Sequence, residues 1–375
     1  MHIAIVSPEF PPDIGGVETY ALEYAKALAA LGHNVTVYTK RHPQGELSIE
    51  GIKVKPVLKM RLHEDRRVLA FEQADAWHIM NAAYAWLVED RPGLIASVHG
   101  NDFLHPYYPL AQPDWKRLPL GWRLETHQPS WFRSLWIKRT ANLMRRYLPK
   151  VHHILTNSRY TEQALLKRYP GCVGRTSAAY VGVAKQFFEI ERQSNLDGIP
   201  HLLTVCRLSE PRKNVESVLR ALAKLHPEFS FRYTVIGDGH DRLRLEMLSH
   251  ELGLGASVHF TGFVDQEELK AHYATADLFI LASSVNSRSH EGFGIVYLEA
   301  AASGIPSLAT RLAGAAEAVK EGVSGMFVET PASETIEYAL RQFLSGEKRF
   351  EAQACRDFAR NFTWRLVVEN ALPYY

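Results

Sequence analysis

The chain is poor in cysteine. Its three cysteines, Cys172, Cys206 and Cys355, are odd in number and far apart. That excludes a disulfide framework, matches no metal-ligand spacing and suits a reducing compartment. Long hydrophobic runs are also missing: nothing approaches the roughly 20 apolar residues that span a bilayer. The N-terminus, MHIAIVSPEF, has no basic region and breaks its short apolar run at Pro8, so it reads as a first strand and not as a signal peptide. No excess of one charge is present, and a formal net charge of +2 gives no ground for nucleic-acid binding. The dinucleotide fingerprint G-x-G-x-x-G does not follow the first strand. There is no Asp-x-Asp pair, no internal repeat and no low-complexity tract. These absences lead us to expect a cytoplasmic protein that uses neither a metal nor a cofactor.

What is present is an ordinary globular composition, 46% hydrophobic over 375 residues, enough for two domains. The stretch that organises it is Glu291 to Glu299, EGFGIVYLE. An apolar run, Leu278 to Ala282, precedes it as a buried strand. Ile295, Val296, Leu298, Ala301 and Ala302 follow at helical spacing. Glu291 therefore ends a loop and Glu299 projects from the early helix, offset by only about 80° around the axis. Gly292 and Gly294 let a ligand approach the backbone, and the amides of a helix start favour an anion. Two carboxylates beside an anion-binding helix end suit a ligand with several hydroxyls and a phosphate, such as a sugar nucleotide. Taken singly, either Glu would be a solvated helix charge.

The first half opens as βαβ: a strand at Ile3 to Val6, a Pro- and Gly-rich loop, a helix marked by Val17, Ala21, Tyr24, Ala25, Leu28 and Leu31, and a strand at Val35 to Thr39. Gly15 and Gly16 lie at the helix start, where amides can meet a phosphate, although turns use glycine for their own reasons. Further strands are expected at 52–57, 76–80 and 94–98. The last of these ends in His99-Gly100-Asn101-Asp102, at the carboxyl edge where open parallel sheets bind ligands. A lone His is more often a structural hydrogen-bonder; its place beside a strand end makes a functional role equally plausible. Residues 114–150 hold Trp115, Trp122, Trp131 and Trp136, with nine basic residues against two acidic ones. From Trp131 to Leu148 the pattern is helical. Such a basic, aromatic amphipathic helix can lie on an anionic membrane; the alternative is a helix packed on the sheet. A strand at 153–156, a helix at 160–169 and a last strand at 177–181 close this half.

Residues 184–199 read as a linker. From Leu202 the βα rhythm resumes, with strands at 202–206, 231–236, 257–260, 278–282, 307–310 and 325–328 and helices at 214–225, 240–252, 266–275, 332–345 and 347–360. Such alternation gives a parallel sheet with helices on both faces. Arg207 and Lys213 bracket the loop after the first of these strands. Two cations there would neutralise a diphosphate leaving group; either alone is as well read as a solvated loop charge. Gly237-Asp238-Gly239 and Thr261-Gly262-Phe263-Val264 end the next two strands and suit close approach to a flat base. Gly314 opens another helix at the same sheet edge. The apolar, aromatic stretch 362–375 should pack on something.

These residues resemble the family-four retaining glycosyltransferases of the GT-B fold. GGVE at 15–18, HGND at 99–102, the Arg207–Lys213 loop, EGFGIVYLEA at 291–300 and AGAAE at 313–317 occur in order through most of the chain. The resemblance implies two Rossmann-like domains facing across a cleft. They would be 1–185, binding the acceptor and joined by a C-terminal helix at 362–375, and 198–361, binding a nucleotide-sugar donor. Carried over by position, Arg207 and Lys213 would hold the diphosphate and Glu291 the hydroxyls of the transferred sugar, with Gly292, Phe293, Gly294 and Ile295 helping. Glu299 would bind the ribose, Gly15 and Gly16 would approach the diphosphate, and His99, with Asn101 and Asp102, would face the donor sugar. AGAAE departs from the family's usual two glycines and bulky residue, which leaves the role of the Gly314 region open. The expected reaction is retaining, metal-independent transfer of a hexose, from a UDP-sugar before a GDP-sugar, to a carbohydrate or lipid-linked acceptor in polysaccharide or glycolipid synthesis. The inner face of the plasma membrane is the site of action if 114–150 lies on lipid. The rivals are a GT-B epimerase or phosphorylase, which product analysis on donor alone would separate, and a non-catalytic sugar-nucleotide sensor, which would bind without turnover.

Overall fold

The computed structural model describes all residues except 14, 43–47, 105–129, 194, 196 and 287–288, with backbone only for 130–136. Trp115, Trp122, Trp131 and Trp136 of the basic aromatic segment thus lie outside the described side chains. The chain divides into two compact units, Met1–Tyr180 with Trp364–Tyr375, and Val181–Thr363.

Unit 1 is built on a seven-stranded parallel sheet, β1 (His2–Val6), β2 (Asn34–Lys40), β3 (Ile52–Leu58), β4 (Ala76–Ile79), β5 (Ile95–Val98), β6 (His153–Thr156) and β7 (Thr176–Ala178), in the order β3-β2-β1-β4-β5-β6-β7. Ile3 to Val6 are all buried, as a strand covered on both faces must be. Ile5 pairs with Val37 on one side and His78 on the other. Its helices are α1 (Gly16–Ala30), α2 (Leu62–Leu69), α3 (Asn101–Leu104), α4 (Ser130–Tyr147) and α5 (Arg159–Arg168). Unit 2 has six parallel strands, β8 (His201–Val205), β9 (Arg232–Ile236), β10 (Val258–Gly262), β11 (Leu278–Leu281), β12 (Ser307–Thr310) and β13 (Gly325–Val328), in the order β10-β9-β8-β11-β12-β13. Its helices are α6 (Lys185–Phe188), α7 (Val215–Leu225), α8 (Arg242–Glu251), α9 (Gln266–Thr275), α10 (Ile295–Ala302), α11 (Ala315–Ala318), α12 (Ser333–Leu344) and α13 (Ala352–Ala359). The final helix, α14 (Trp364–Ala371), belongs to unit 1, where it packs on α1.

Both sheets are doubly wound. The chain order reverses between β1 and β4 in unit 1 and between β8 and β11 in unit 2. The loops leaving those strands diverge to opposite faces and open a crevice, where such folds take ligands.

Residues 184–199 do not behave as a linker. They contain α6, and the structure places the segment inside unit 2. Phe187 is buried edge-on to Tyr273 at 5.5 Å. The Arg356 guanidinium donates to the carbonyls of Phe188 (2.9 Å), Ile190 (2.8 Å), Ala302 (3.2 Å) and Ser303 (3.2 Å). The polar composition that suggests a linker reflects a strap whose carbonyls are satisfied by one arginine. The division therefore falls at Tyr180, earlier than the composition indicates. Among the described residues, no helix is long and apolar enough to cross a membrane.

Candidate active site

In unit 2 the site grows from the switch point. The loop after β8 carries Arg207 to Asn214. Asn214 adopts φ 61°, a left-handed conformation that Asn tolerates better than most residues. Its side-chain amide donates to the Ala282 carbonyl beyond β11 (3.0 Å) and to the Pro331 carbonyl (2.7 Å). Ser284 N donates to the Arg212 carbonyl at 2.7 Å. The loop after β8 is thereby tied to the loop after β11, which brings Arg212 and Lys213 to Glu291.

Glu291 is the centre of that cluster. Its Oε2 accepts from Lys213 Nζ at 2.6 Å, from Arg212 Nη1 at 3.1 Å and from Ser283 Oγ at 3.5 Å. All three partners sit on one oxygen, and Oε1 takes no part in the cluster. Burial pushes the carboxyl pKa up, but Lys213 and Arg212 outweigh burial and hold it at about 2. Glu291 is therefore an anion at any physiological pH. Gly294, the N-cap of α10, has φ 91°, and a Cβ there would strike the Tyr297 ring at 2.5 Å. Gly314 N donates to the Glu291 carbonyl at 3.0 Å, and a Cβ on Gly314 would lie 2.0 Å from the Gly292 carbonyl oxygen. Gly314 thus braces the Glu291 loop from behind. Ala313 before it sits at φ 52°, a conformation that costs an L-residue roughly 1–2 kcal/mol.

Glu299 has a different environment on α10. Its Oε2 accepts from Tyr273 Oη at 3.1 Å. Among the described residues no cation offsets its burial, which raises its pKa to about 7, against the Tyr273 hydrogen bond. One carboxylate of the pair is fixed as an anion; the other exchanges a proton near neutrality.

The other expected residues sit in different surroundings. Arg207 does not reach Glu291: its side chain is 59% exposed and pairs with Glu210 at 2.6 Å. The cation beside Lys213 is Arg212, whose side chain is only 7% exposed. Nothing in the sequence singles out Arg212, because neighbours in a loop have no periodicity to reveal which one turns inward. Gly237 and Gly239 pack against the neighbouring loop after β8. A Cβ at Gly237 would lie 1.9 Å from the Cys206 carbonyl oxygen, and one at Gly239 2.2 Å from Ser209 N. Phe293 is 1% exposed and packs on Phe362, and Val264 is buried, so these two side chains serve the core. Phe263, in contrast, is 65% exposed at the end of β10. Beside the Lys213 loop a cavity of about 150 Å³ is lined by Glu210, Lys213, Asn214, Ser217, Asp241 and Arg244. It is too small for a nucleotide sugar, since such ligand sites span roughly 300–1,000 Å³.

In unit 1, His99 N and Ala82 N donate to Asp102 at 3.0 and 3.1 Å. Asp102 is a brace for the loops after β4 and β5, not an outward-facing ligand group, while Asn101 is exposed. Burial lowers the His99 pKa to about 4, against a hydrogen bond to the Met80 backbone, so the ring is neutral. Its Nε2 is buried with no partner among the described residues, and Tyr20 lies edge-on at 4.6 Å. Gly16 opens α1 onto free space, where an added Cβ would meet nothing within 4 Å, whereas a Cβ on Gly15 would meet Glu18. Glu9 joins the site without any sequence signal. It lies across the β1/β4 switch, accepts from Asn81 Nδ2 at 2.8 Å, and is raised to about 7, chiefly by burial. A Glu after an SP dipeptide in a loop gives no pattern that would single it out.

Comparison with known proteins decides what this arrangement belongs to. Residues 14–184 match the family described as "Glycosyltransferase Family 4", and residues 186–362 that described as "Glycosyl transferases group 1". The chain belongs to the family-four glycosyltransferases. A relative in this family, the GDP-mannose-dependent alpha-(1-6)-phosphatidylinositol monomannoside mannosyltransferase of Mycobacterium tuberculosis (strain CDC 1551 / Oshkosh), is 26% identical over 378 residues, covering 93% of this chain and 90% of its own. Sucrose-phosphate synthase from Thermosynechococcus elongatus superimposes with a TM-score of 0.76 at 19% identity, covering 100% of this chain and 98% of its own. Anabaena HepE in complex with UDP-glucose does so with a TM-score of 0.72 at 19% identity, covering 100% and 98%. These likenesses establish the GT-B fold, two Rossmann-like parallel-sheet units, for this glycosyltransferase.

Proposed function

We propose that this glycosyltransferase moves a hexose, with retention and without a metal, from a nucleoside diphosphate sugar to an acceptor hydroxyl. The observation that carries the reading is Glu291 at the β8/β11 switch, held as an anion by Lys213 and Arg212 with Oε1 turned from them. In this reading Glu291 Oε1 accepts from the sugar hydroxyls, Glu299 from the ribose, and Lys213 with Arg207 takes the charge that develops on the departing diphosphate. The neutral imidazole of His99 offers its unpartnered Nε2 to a hydroxyl-bearing ligand in unit 1. The departing phosphate accepts the acceptor's proton as the acceptor attacks the same face.

A GDP-hexose now stands before a UDP-hexose as donor. The mannosyltransferase that matches nearly the full chain is GDP-mannose-dependent, whereas the UDP-glucose complex of HepE is a likeness of fold. The acceptor is a carbohydrate or a lipid-linked glycan precursor. An anionic membrane surface is a proposed partner, because Lys138, Arg139, Arg145 and Arg146 are exposed on α4 while Thr140, Met144 and Tyr147 turn inward. Thermal stabilisation by a panel of GDP-, UDP-, ADP- and dTDP-sugars, with and without EDTA, tests the donor. We expect a shift with one base only, unaffected by EDTA and lost in Glu299→Ala. No shift with any of them overturns the nucleotide site.

A further inference from the structure

Five side chains of unit 2 form a row of alternating charge, Arg207–Glu210–Arg212–Glu291–Lys213. Arg207 meets Glu210 at 2.6 Å, Arg212 meets Glu210 at 2.5 Å and Glu291 at 3.1 Å, and Lys213 meets Glu291 at 2.6 Å. The two outer cations are those assigned to the donor diphosphate, yet each is already spent on a carboxylate. A diphosphate can recruit them only by pulling them away. That would leave Glu291, whose side chain is 11% exposed, dependent on Arg212, and a buried carboxylate with no cation at all would be strongly unfavourable.

We infer that Arg212 is a positioning residue that takes over both carboxylates when Arg207 and Lys213 transfer to the donor diphosphate. The row would thus be a charge relay that lets the outer cations leave. The inference rests on the donor-site reading above. Arg212 is suited to the task in three respects. Its side chain is 7% exposed, so it stays in place. Its carbonyl is anchored by Ser284 N. A guanidinium has five N–H donors in a rigid fork, and here Nη1 faces Glu291 and Nη2 faces Glu210 while the buried Nε has no acceptor. It therefore holds spare donors for a carboxylate that loses its other cation. A lysine at this position could not serve two carboxylates in the same geometry.

The test compares dissociation constants for two probes, the nucleotide sugar selected by the stabilisation panel and its free nucleoside, the latter by competition in saturation-transfer NMR. For Arg212→Met the nucleotide sugar should weaken more than tenfold while the nucleoside stays within twofold. Arg212→Lys should fall between. Glu210→Gln, an isosteric change at a side chain 19% exposed, frees Arg207 from competition and should tighten the nucleotide sugar two- to fivefold. Equal loss of both probes in Arg212→Met would show a merely structural role, and unchanged affinity, or weakening by Glu210→Gln, would overturn the relay. Failure of the wild type to bind any nucleotide sugar is a separate result, which overturns the donor site itself and the relay with it.

Discussion

Lys213 and Arg207 are equivalent as two basic residues bracketing one loop, but their surroundings separate them. The Lys213 side chain is 12% exposed and pinned beside Glu291; that of Arg207 is 59% exposed on a solvated pair with Glu210. A charge held in a water-poor, fixed position stabilises a developing anion far more than one that must first be ordered. We therefore expect Lys213→Ala to lower kcat about 10²–10³-fold, the range seen when one preorganised transition-state donor is removed, with Tm little changed because Arg212 still neutralises Glu291. Arg207→Ala should lower kcat/KM about tenfold or less, since exposed pairs contribute little. Steady-state kinetics on the two variants checks this, and equal losses would contradict the asymmetry. The E-x7-E pair is legible in the sequence because its spacing and glycines form a pattern. Arg212 and Glu9 are not, because inward turning in a loop follows from distant anchors such as Asn214 and Ala282.

Elements are more legible than residues. A buried parallel strand is a short apolar run and a surface helix has a 3.6-residue period, so twelve of the strands fall within a few residues of their expected place. The exceptions have local causes. The last strand of unit 1 is Thr176–Ala178 and not 177–181, and Tyr180 just beyond it adopts φ 63°, which no strand continues through. The helix expected at 347–360 begins only at Ala352, after Glu351 in an extended N-cap conformation. Helix α4 carries a prediction at this scale. Lys138, Arg139, Arg145, Arg146 and, just beyond the helix, Lys150 are exposed. Each basic residue near an anionic bilayer contributes about 1 kcal/mol, falling off within a Debye length. The wild type should float with vesicles rich in anionic phospholipid at low salt and detach at about 0.5 M salt. Lys138→Glu with Arg145→Glu should abolish flotation while nucleotide-sugar binding, which we propose for unit 2, is kept. No flotation of the wild type at low salt would sink the membrane reading.

For the molecule as a whole, the buried titratable groups set a stability optimum in pH. Burial lowers His78 to about 3 and His99, His153, His201 and His290 to about 4. The unfolded chain protonates these rings below its ordinary value near 6.5 and the folded chain refuses the proton, so stability is lost as pH falls from 6.5 toward 4. Burial raises Glu9 and Glu299 to about 7 and Asp102 to about 6. There the folded state keeps a proton that the unfolded state has released, so these groups favour folding at low pH and the advantage is lost as pH rises through 6 to 7. Between pH 4.5 and 6.5 five histidines act against three acids, and the histidines win. Above 6.5 these five histidines are neutral in both states, while Glu9 and Glu299 still titrate. Glu291, held at about 2, changes stability only below about pH 4.5. Tm should therefore rise from pH 4.5 to a maximum near 6.5 and then fall toward pH 8. Glu9→Gln with Glu299→Gln should remove the fall on the alkaline side and steepen the rise on the acid side, where the two carboxyls oppose the histidines. A wild-type Tm that keeps rising from pH 6.5 to 8 would show that these two carboxyls are ionised in the folded protein at neutral pH, and that Glu299 meets its ligand as a plain anion.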